Sequence, residues 1–273
     1  MHEWITTLRA VRGVKRAGAE TRKAVGSLFL RLMSYAVTRQ YLAHNPAQDA
    51  GRQASYIPGK REVAKTKRDH VYLAMPQLVA VADQCGPYRD LILFTGTCGL
   101  RWGEVSALQV QDLQLGDKSL VHVQRAYKEI GGRLELGDTK SGENRKVPVP
   151  RSIASMLAER MEGKAPTDLV FTSPKGGPLR NSNFTKRNYA KAIEAAASAS
   201  SNPASFPRPT FHDLRHTAVS LAISQGTNVK VVQRIAGHAT ATMTLDTYAG
   251  LFTDDLHASA ARLDEAIVAA TAP

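Results

Sequence analysis

Between Ala47 and His70 the chain carries no apolar periodicity. The stretch is polar, contains glycine, and holds the basic groups Lys60-Arg61 and Lys65-Thr66-Lys67-Arg68. A segment with nothing to bury does not enter a core, so any fold here is built in two parts on either side of an exposed basic linker. The expected division is a helical domain over residues 1–50, a linker over 51–70, a larger domain over 71–250 and an acidic helix or tail over 251–273. Ahead of the linker, Val25, Leu28, Phe29, Leu32, Met33 and Ala36 form an i, i+3, i+4, i+7 stripe, with Arg22, Lys23, Arg31 and Arg39 on other faces. Asn45-Pro46 is expected to stop that helix, because proline disfavours helical geometry in the residue before it.

Beyond the linker, helical spacing runs over Met75–Gln84, Tyr88–Thr97 and Arg101–Gln109. Strand signals follow. Ser119–Tyr127 alternates, Gly131-Gly132 offers a turn, and Arg133–Leu136 and Arg145–Val149 complete one small antiparallel sheet. Helices return at Ser152–Met161 and Asn183–Ala197, separated by a short strand at Leu169–Thr172 and a Pro/Gly loop. After the Ser198–Pro209 loop, helices are predicted over Phe211–Ser224, Val229–Ile235, Met243–Tyr248 and Asp254–Ala269. The fold class is therefore mainly α with a small antiparallel β-sheet, an α+β arrangement.

The formal charge of +12 points to a polyanionic partner, since each neutralised phosphate releases condensed counterions. It is unevenly spread. Residues 1–70 hold 14 Lys or Arg against 5 Asp or Glu, whereas Leu251–Pro273 holds Asp254, Asp255, Asp264 and Glu265 against Arg262 alone. A basic front and an acidic tail suggest nucleic acid at one end and protein contacts at the other. Arg22, Lys23, Lys60, Arg61, Lys65, Lys67 and Arg68 are the candidate phosphate contacts. A basic surface that serves only solubility is the plain alternative.

Several classes are set aside. No apolar run approaches the ~18 residues of a membrane span, and Met1–Val14 lacks the pattern of a secretory signal. Cys85 and Cys98 make neither a disulfide framework nor a CxxC pair, so a cytoplasmic setting is expected. There is no phosphate-binding G-x-x-x-x-G-K loop and no G-x-G-x-x-G turn, so no nucleotide cofactor is implied. His212 and His216 have the i, i+4 spacing of a zinc-protease helix. Asp213 stands where that motif carries Glu, and no third ligand follows, so no metal is expected.

Four places carry residues fit for phosphate chemistry. Arg101 follows Gly99 at a turn, within Gly99-Leu100-Arg101-Trp102-Gly103-Glu104. Lys140 lies in Thr139-Lys140-Ser141-Gly142, at the tip between two predicted strands. His212 and Arg215, at i, i+3, set an imidazole beside a guanidinium fork that matches two phosphate oxygens. His238 closes Ala236-Gly237-His238, and Tyr248 lies in Leu245-Asp246-Thr247-Tyr248-Ala249. Each also has an ordinary structural reading: an Arg101–Glu104 ion pair, a basic turn, a solvated helix face, a helix cap, a packed aromatic.

Together and in this order, "TGTCGLRWGEVSALQVQDL", "TKSGENRKVPVP", "HDLRHTAVSLAISQGTNVKVVQRIAGHA" and "TLDTYAG" resemble the tyrosine recombinase (phage integrase) family. The resemblance covers Val71–Leu256 as a catalytic domain and, more loosely, Arg16–Pro46 as part of an abbreviated core-DNA-binding domain. With ~70 residues ahead of the catalytic domain, recognition of separate arm-type sites is not expected, and the chain is either a minimal type or a truncated one.

The resemblance implies a site-specific DNA recombinase acting without metal or ATP. Tyr248 would attack a phosphodiester and leave a 3′-phosphotyrosyl link and a free 5′-hydroxyl. Arg101 and Arg215 would clamp the non-bridging oxygens, with a hydrogen bond from His238. His212 would accept a proton or orient a neighbour, Lys140 would protonate the leaving 5′-oxygen, and Glu104 would support Arg101 or His212. Partners implied are double-stranded DNA bearing attachment-type sites and a homo-tetramer on that DNA, with the C-terminal helix docking in a neighbour. A host DNA-bending protein and a directionality factor are further partners of the class. A type IB DNA topoisomerase and a non-catalytic DNA-binding member of the family are the alternatives.

Overall fold

The computed structural model describes residues 18–47, 71–139, 144–238, 240–248 and 255–271. Two units divide the chain, Met1–Asp69 and His70–Pro273. The expected linker over 51–70, with Lys60, Arg61, Lys65, Lys67 and Arg68, lies outside the described residues, as does Lys140.

The first unit presents one long helix, α1 (Ala19–Thr38). Val25, Phe29, Met33 and Ala36 are half-buried, but Leu28 and Leu32, assigned to the same stripe, are 60% and 56% exposed. The inward face is Arg22, Val25, Gly26, Phe29, Met33, Ala36 and Val37, which keeps the 3.6 period but shifts it away from the two leucines. Lys23 is exposed. The helix also stops earlier than Asn45-Pro46 suggests. Gln40 takes a left-handed φ of 61°, its N–H donates to the Val37 carbonyl (2.9 Å), and the Tyr41 N–H donates to that of Ala36 (2.8 Å). These two bonds satisfy the last carbonyls in a Schellman termination. Asn45 then folds back, donating through Nδ2 to Ser34 Oγ at 2.8 Å and to the Leu30 carbonyl at 3.3 Å.

In the second unit α2 (Met75–Asp83), a 3₁₀ turn (Gly86–Tyr88), α3 (Arg89–Cys98) and α4 (Trp102–Ser106) come first. Helix α3 is buried nearly all round, from Leu91 to Gly96, so it forms the axis of the core. Three-stranded sheet order is β1-β2-β5, all antiparallel, from β1 (Leu113–Gln114), β2 (Leu120–Val123) and β5 (Arg145–Pro148). Strands β3 (Arg125–Ile130) and β4 (Arg133–Asp138) make a separate hairpin about Gly131-Gly132.

The single expected sheet is thus two. Ser119–Tyr127 breaks at Gln124, where Arg125 turns to pair with Asp112 at 2.9 Å and the hairpin departs to pass over α4. The strand expected at Leu169–Thr172 is only an isolated bridge, Gln109 to Leu169.

Helices α5 (Arg151–Met161), α6 (Asn181–Phe184) and α7 (Ala190–Ala199) follow, the last two joined by a π-wide turn, Thr185–Tyr189, that leaves Phe184 and Tyr189 both buried. Helix α8 (Asp213–Ser224) lies along α3, α9 (Val229–Ala236) packs on α8 and β5, and α10 (Ala241–Tyr248) packs on α9. Helix α11 (Asp255–Thr271) leaves Leu263 and Ile267 exposed. The architecture is mainly helical with small antiparallel sheets. Among the described residues no helix is long and apolar enough to cross a membrane.

Candidate active site

The turn that carries Arg101 is made by the end of α3. Gly99 caps that helix at φ 69°, a left-handed conformation open to glycine without a Cβ clash, and so redirects the chain to Arg101 at the N-cap of α4. The residue after Arg101 and the residue before His212 then lock two elements together: Trp102 meets Phe211 edge-on at 4.7 Å between ring centroids, and Phe184 lies against both. This aromatic packing fixes the Arg101 turn against the start of α8.

Glu104, 3% exposed, is the organising anion. Its carboxylate accepts from the Arg101 N–H (2.8 Å) and Arg101 Nη1 (2.9 Å), and bidentately from Arg145 Nη1 (2.9 Å) and Nη2 (2.7 Å). Burial by itself pushes this carboxyl up, but the hydrogen bonds and charges of Arg145 and then Arg101 outweigh it and hold the pKa at about 2. Arg145 also donates through Nε to the Ile235 carbonyl (3.3 Å), and Arg101 through Nη2 to the Gly237 carbonyl (3.3 Å). One buried carboxylate therefore ties α4, β5 and the end of α9 into a single frame.

Gly237 caps α9 at φ 57°, and a Cβ built there meets Arg145 Cδ at 3.0 Å. Gly237→Ala is expected to cost ~1–2 kcal/mol from the left-handed backbone alone, before Arg145 is pushed aside; equilibrium urea unfolding checks it.

Arg215, 4% exposed, donates through Nη1 to the Gly99 carbonyl at 2.6 Å. Its Nη2 is buried and makes no hydrogen bond among the described residues. Burial first, then the charges of Arg101 and Arg145, lower its pKa. A buried donor left open beside two further guanidinium groups and a single carboxylate suits an anion.

His238 follows the Gly237 turn, its Nδ1 paired with Thr244 Oγ1 at 3.0 Å. Burial and then Arg215, Arg101 and Arg145 hold its pKa down at about 4. The imidazole is neutral at pH 7, able to donate one hydrogen bond without adding a fourth cation. In the DNA-free protein its ring protons are expected to titrate near pH 4 in an NMR pH series; a midpoint near the ordinary ~6.5 would contradict the crowding of three guanidinium groups around it.

Tyr248 is buried among Val219, Ile223, Val232 and Ala236, with its ring stacked on that of His238 at 6.5 Å and 12°. Its hydroxyl lies 2.5 Å from His216 Nδ1. Burial raises the phenol's pKa, while the Arg215 charge acts in the opposite sense. His212 is exposed at the N-cap of α8, its ring centroid 5.3 Å from that of His216. Among the described residues no group of three or more His, Cys, Asp or Glu is placed to hold a metal ion.

Arg101, Glu104, Arg215, His238 and Tyr248 thus come from separate stretches to one locus, joined by direct bonds, ring contact or the action of their charges on one another. Lys140 falls between β4 and β5, outside the described residues, and Arg22 and Lys23 belong to the other unit. Two residues that the motifs do not single out join the site. Arg145 is in phase with buried Val147 on β5, a parity visible in the sequence that marks it as inward-facing. His216 has no such signal, because α8 is buried at every position from Asp213 to Val219.

This mainly helical fold with small antiparallel sheets is a known one. The chain belongs to the phage integrase family, whose model matches residues 74–254. It is 28% identical over 257 residues to a XerC-like tyrosine recombinase of Caldanaerobacter subterraneus, an alignment covering 84% of this chain and 62% of the relative. It is 27% identical over 201 residues to the integrase of Staphylococcus phage L54a, covering 65% and 54%. With the transposase of transposon Tn916 from Enterococcus faecalis, identity is 31% over 189 residues, covering 64% and 45%. The chain thus spans about half to three-fifths of the length of these relatives. Its fold matches the Tn1549 transposon integrase in complex with transposon right end DNA at a TM-score of 0.70 and 19% identity, over 91% of this chain and 80% of that one. A lambda integrase dimer bound to a COC′ core site matches at 0.54 and 19%, over 82% and 74%.

Proposed function

We propose that this chain is a site-specific DNA recombinase of the phage-integrase type, cutting and rejoining duplex DNA through a 3′-phosphotyrosyl intermediate. The observation that carries this reading is the open Nη2 donor of buried Arg215, beside Arg101, Arg145 and neutral His238, with Tyr248 packed against the same histidine. A phosphodiester would be the anion held there. Arg215 Nη2 and the outer edge of Arg101 hold its non-bridging oxygens and neutralise the charge that grows as phosphorus becomes five-coordinate. Glu104 fixes Arg101, and Arg145 fixes Glu104. Attack by the Tyr248 oxygen forms the Tyr–O–P bond and breaks the P–O5′ bond. Lys140 is assigned the proton that the departing 5′-oxygen takes up. The bond energy is kept in the adduct, so rejoining to a new 5′-hydroxyl needs no nucleotide.

Relatives that are recombinases and integrases, and a fold shared with integrases solved on DNA, support duplex DNA as the substrate. Arg22, Lys23 and the basic run Lys60–Arg68 are assigned to backbone contacts outside the catalytic locus. Replacing Lys60, Arg61, Lys65, Lys67 and Arg68 by alanine is expected to lower the slope of log affinity against log salt by about 0.9 for each phosphate no longer neutralised. Filter binding across a salt series measures it, and an unchanged slope removes these residues from the interface.

The exposed Leu263 and Ile267 of α11 support its use as a contact between protomers, with four assembling on two duplexes. This exposure favours recombination over the monomeric strand relaxation of a topoisomerase. Sedimentation of DNA complexes with Leu263→Glu tests it: four protomers per synaptic complex are expected for the native chain and fewer for the variant.

A further inference from the structure

The Tyr248 hydroxyl has to lose its proton in the attack, and its surroundings say where that proton goes. The ring sits in an apolar cluster of α8 and α9 side chains, where a free phenolate is strongly disfavoured. A base is therefore required at the oxygen itself. Three imidazoles lie near. His238 has its ring centroid 6.5 Å from that of the tyrosine, and its Nδ1 is taken up by Thr244. His212 stands exposed at the helix start. His216, one turn further along α8 and buried, has Nδ1 at 2.5 Å from the phenolic oxygen. The two atoms are thus within hydrogen-bond reach, as direct proton transfer requires.

Building on the recombinase reading, we propose that His216 is a further catalytic residue, the base that accepts the Tyr248 proton as the tyrosine oxygen bonds to phosphorus. The step balances within the site. The phenolic O–H bond breaks, its proton moves to His216 Nδ1, its electron pair forms the O–P bond, and the 5′-oxygen leaves with a proton from the general acid. Nδ1 has to be unprotonated beforehand, which places the neutral ring's hydrogen on Nε2. Resealing returns the proton from Nδ1 to the tyrosine. The family resemblance gives the proton-acceptor role to His212; the contact geometry transfers it one helical turn inward.

The test uses the full chain and nicked duplex oligonucleotides carrying the cleavage site mapped with the native protein, made with either oxygen or sulfur at the scissile 5′ bridge. His216→Asn and His216→Gln keep a polar side chain but cannot take the proton. Both are expected to slow single-turnover adduct formation ~100-fold or more, with DNA affinity within about threefold. The loss should persist on the sulfur-bridged duplex, because a thiolate leaves without a proton and the defect is at the nucleophile; Lys140→Ala should recover there. In His216→Gly, added imidazoles should restore cleavage at rates that rise with their basicity. Cleavage by the Asn or Gln variant at or above the native rate overturns the proposal and makes the pairing a storage position for the tyrosine. Restoration independent of basicity also overturns it, leaving His216 a packing residue. If the native chain forms no Tyr248-dependent adduct, the recombinase reading itself falls and takes the proposal with it; native adducts together with unimpaired variants sink the proposal alone.

Discussion

Tyr248→Phe is expected to abolish covalent attachment to DNA while leaving DNA binding within about twofold. The substitution deletes one oxygen. The ring that packs against Val219, Ile223, Val232 and Ala236 is retained, so the apolar cluster beneath the site survives. What disappears is the hydrogen bond to His216, whose Nδ1 then lacks this partner at a cost of roughly 1–3 kcal/mol. The chemical consequence is far larger. Removing a nucleophile that forms a covalent intermediate costs on the order of 10⁶-fold in turnover, which places cleavage below detection. A gel that separates protein-linked DNA from free DNA reads both results. Adducts at native levels in the phenylalanine variant would assign the nucleophile elsewhere.

Arg215 is where stability and activity should part. Its guanidinium is buried and lies close enough to Arg101 and Arg145 for their charges to act against it, with one donor unused among the described residues. In the DNA-free protein it is a cation held in an unfavourable place, and the proposed phosphodiester would complete it. Arg215→Met, similar in length and uncharged, should therefore leave thermal stability unchanged or raise it, despite removal of the bond to the Gly99 carbonyl. Cleavage should fall by about 10²–10³-fold, the usual effect of removing one preorganised donor to a developing oxyanion. Arg215→Lys should show nearly the same loss, since an ammonium lacks the planar fork. Calorimetry and single-turnover cleavage on the same preparations provide the comparison. A large drop in Tm with a proportionate drop in cleavage would make Arg215 a structural strut.

How far the sequence could be read is clearest at particular residues. Arg101, Arg215, His238 and Tyr248 are legible through their order and motif strings, although each alone has a plainer reading. Glu104 is legible as an i, i+3 partner of Arg101, and that bond is present at 2.9 Å. Its second partner, Arg145, lies 41 positions away, and long-range pairing of this kind leaves only the faint parity with Val147. His216 is visible only as one half of the His212/His216 i, i+4 pair. Its pairing with Tyr248 spans 32 positions and depends on α10 packing on α9, which no local pattern states.

Where fold and sequence pattern differ, the causes are physical too. Apolar spacing in α1 includes Leu28 and Leu32, but spacing cannot say which edge of a broad stripe faces inward. Proline at 46 marks a stop, whereas Gln40 in a left-handed turn ends the helix first. One alternating run becomes two strands because Arg125 pairs with Asp112 and redirects the chain between sheets.

Covalent capture tests metal-independent cleavage by Tyr248 without knowledge of the target. The full chain is incubated with fragmented bacterial and phage DNA in EDTA and denatured, protein-linked DNA is recovered, and its ends are sequenced. Adducts through the 3′ end are expected at a discrete sequence, mapped by peptide mass to Tyr248 and absent in Tyr248→Phe. Tight, salt-sensitive DNA binding with no adduct, or adducts that persist in the phenylalanine variant, would contradict it.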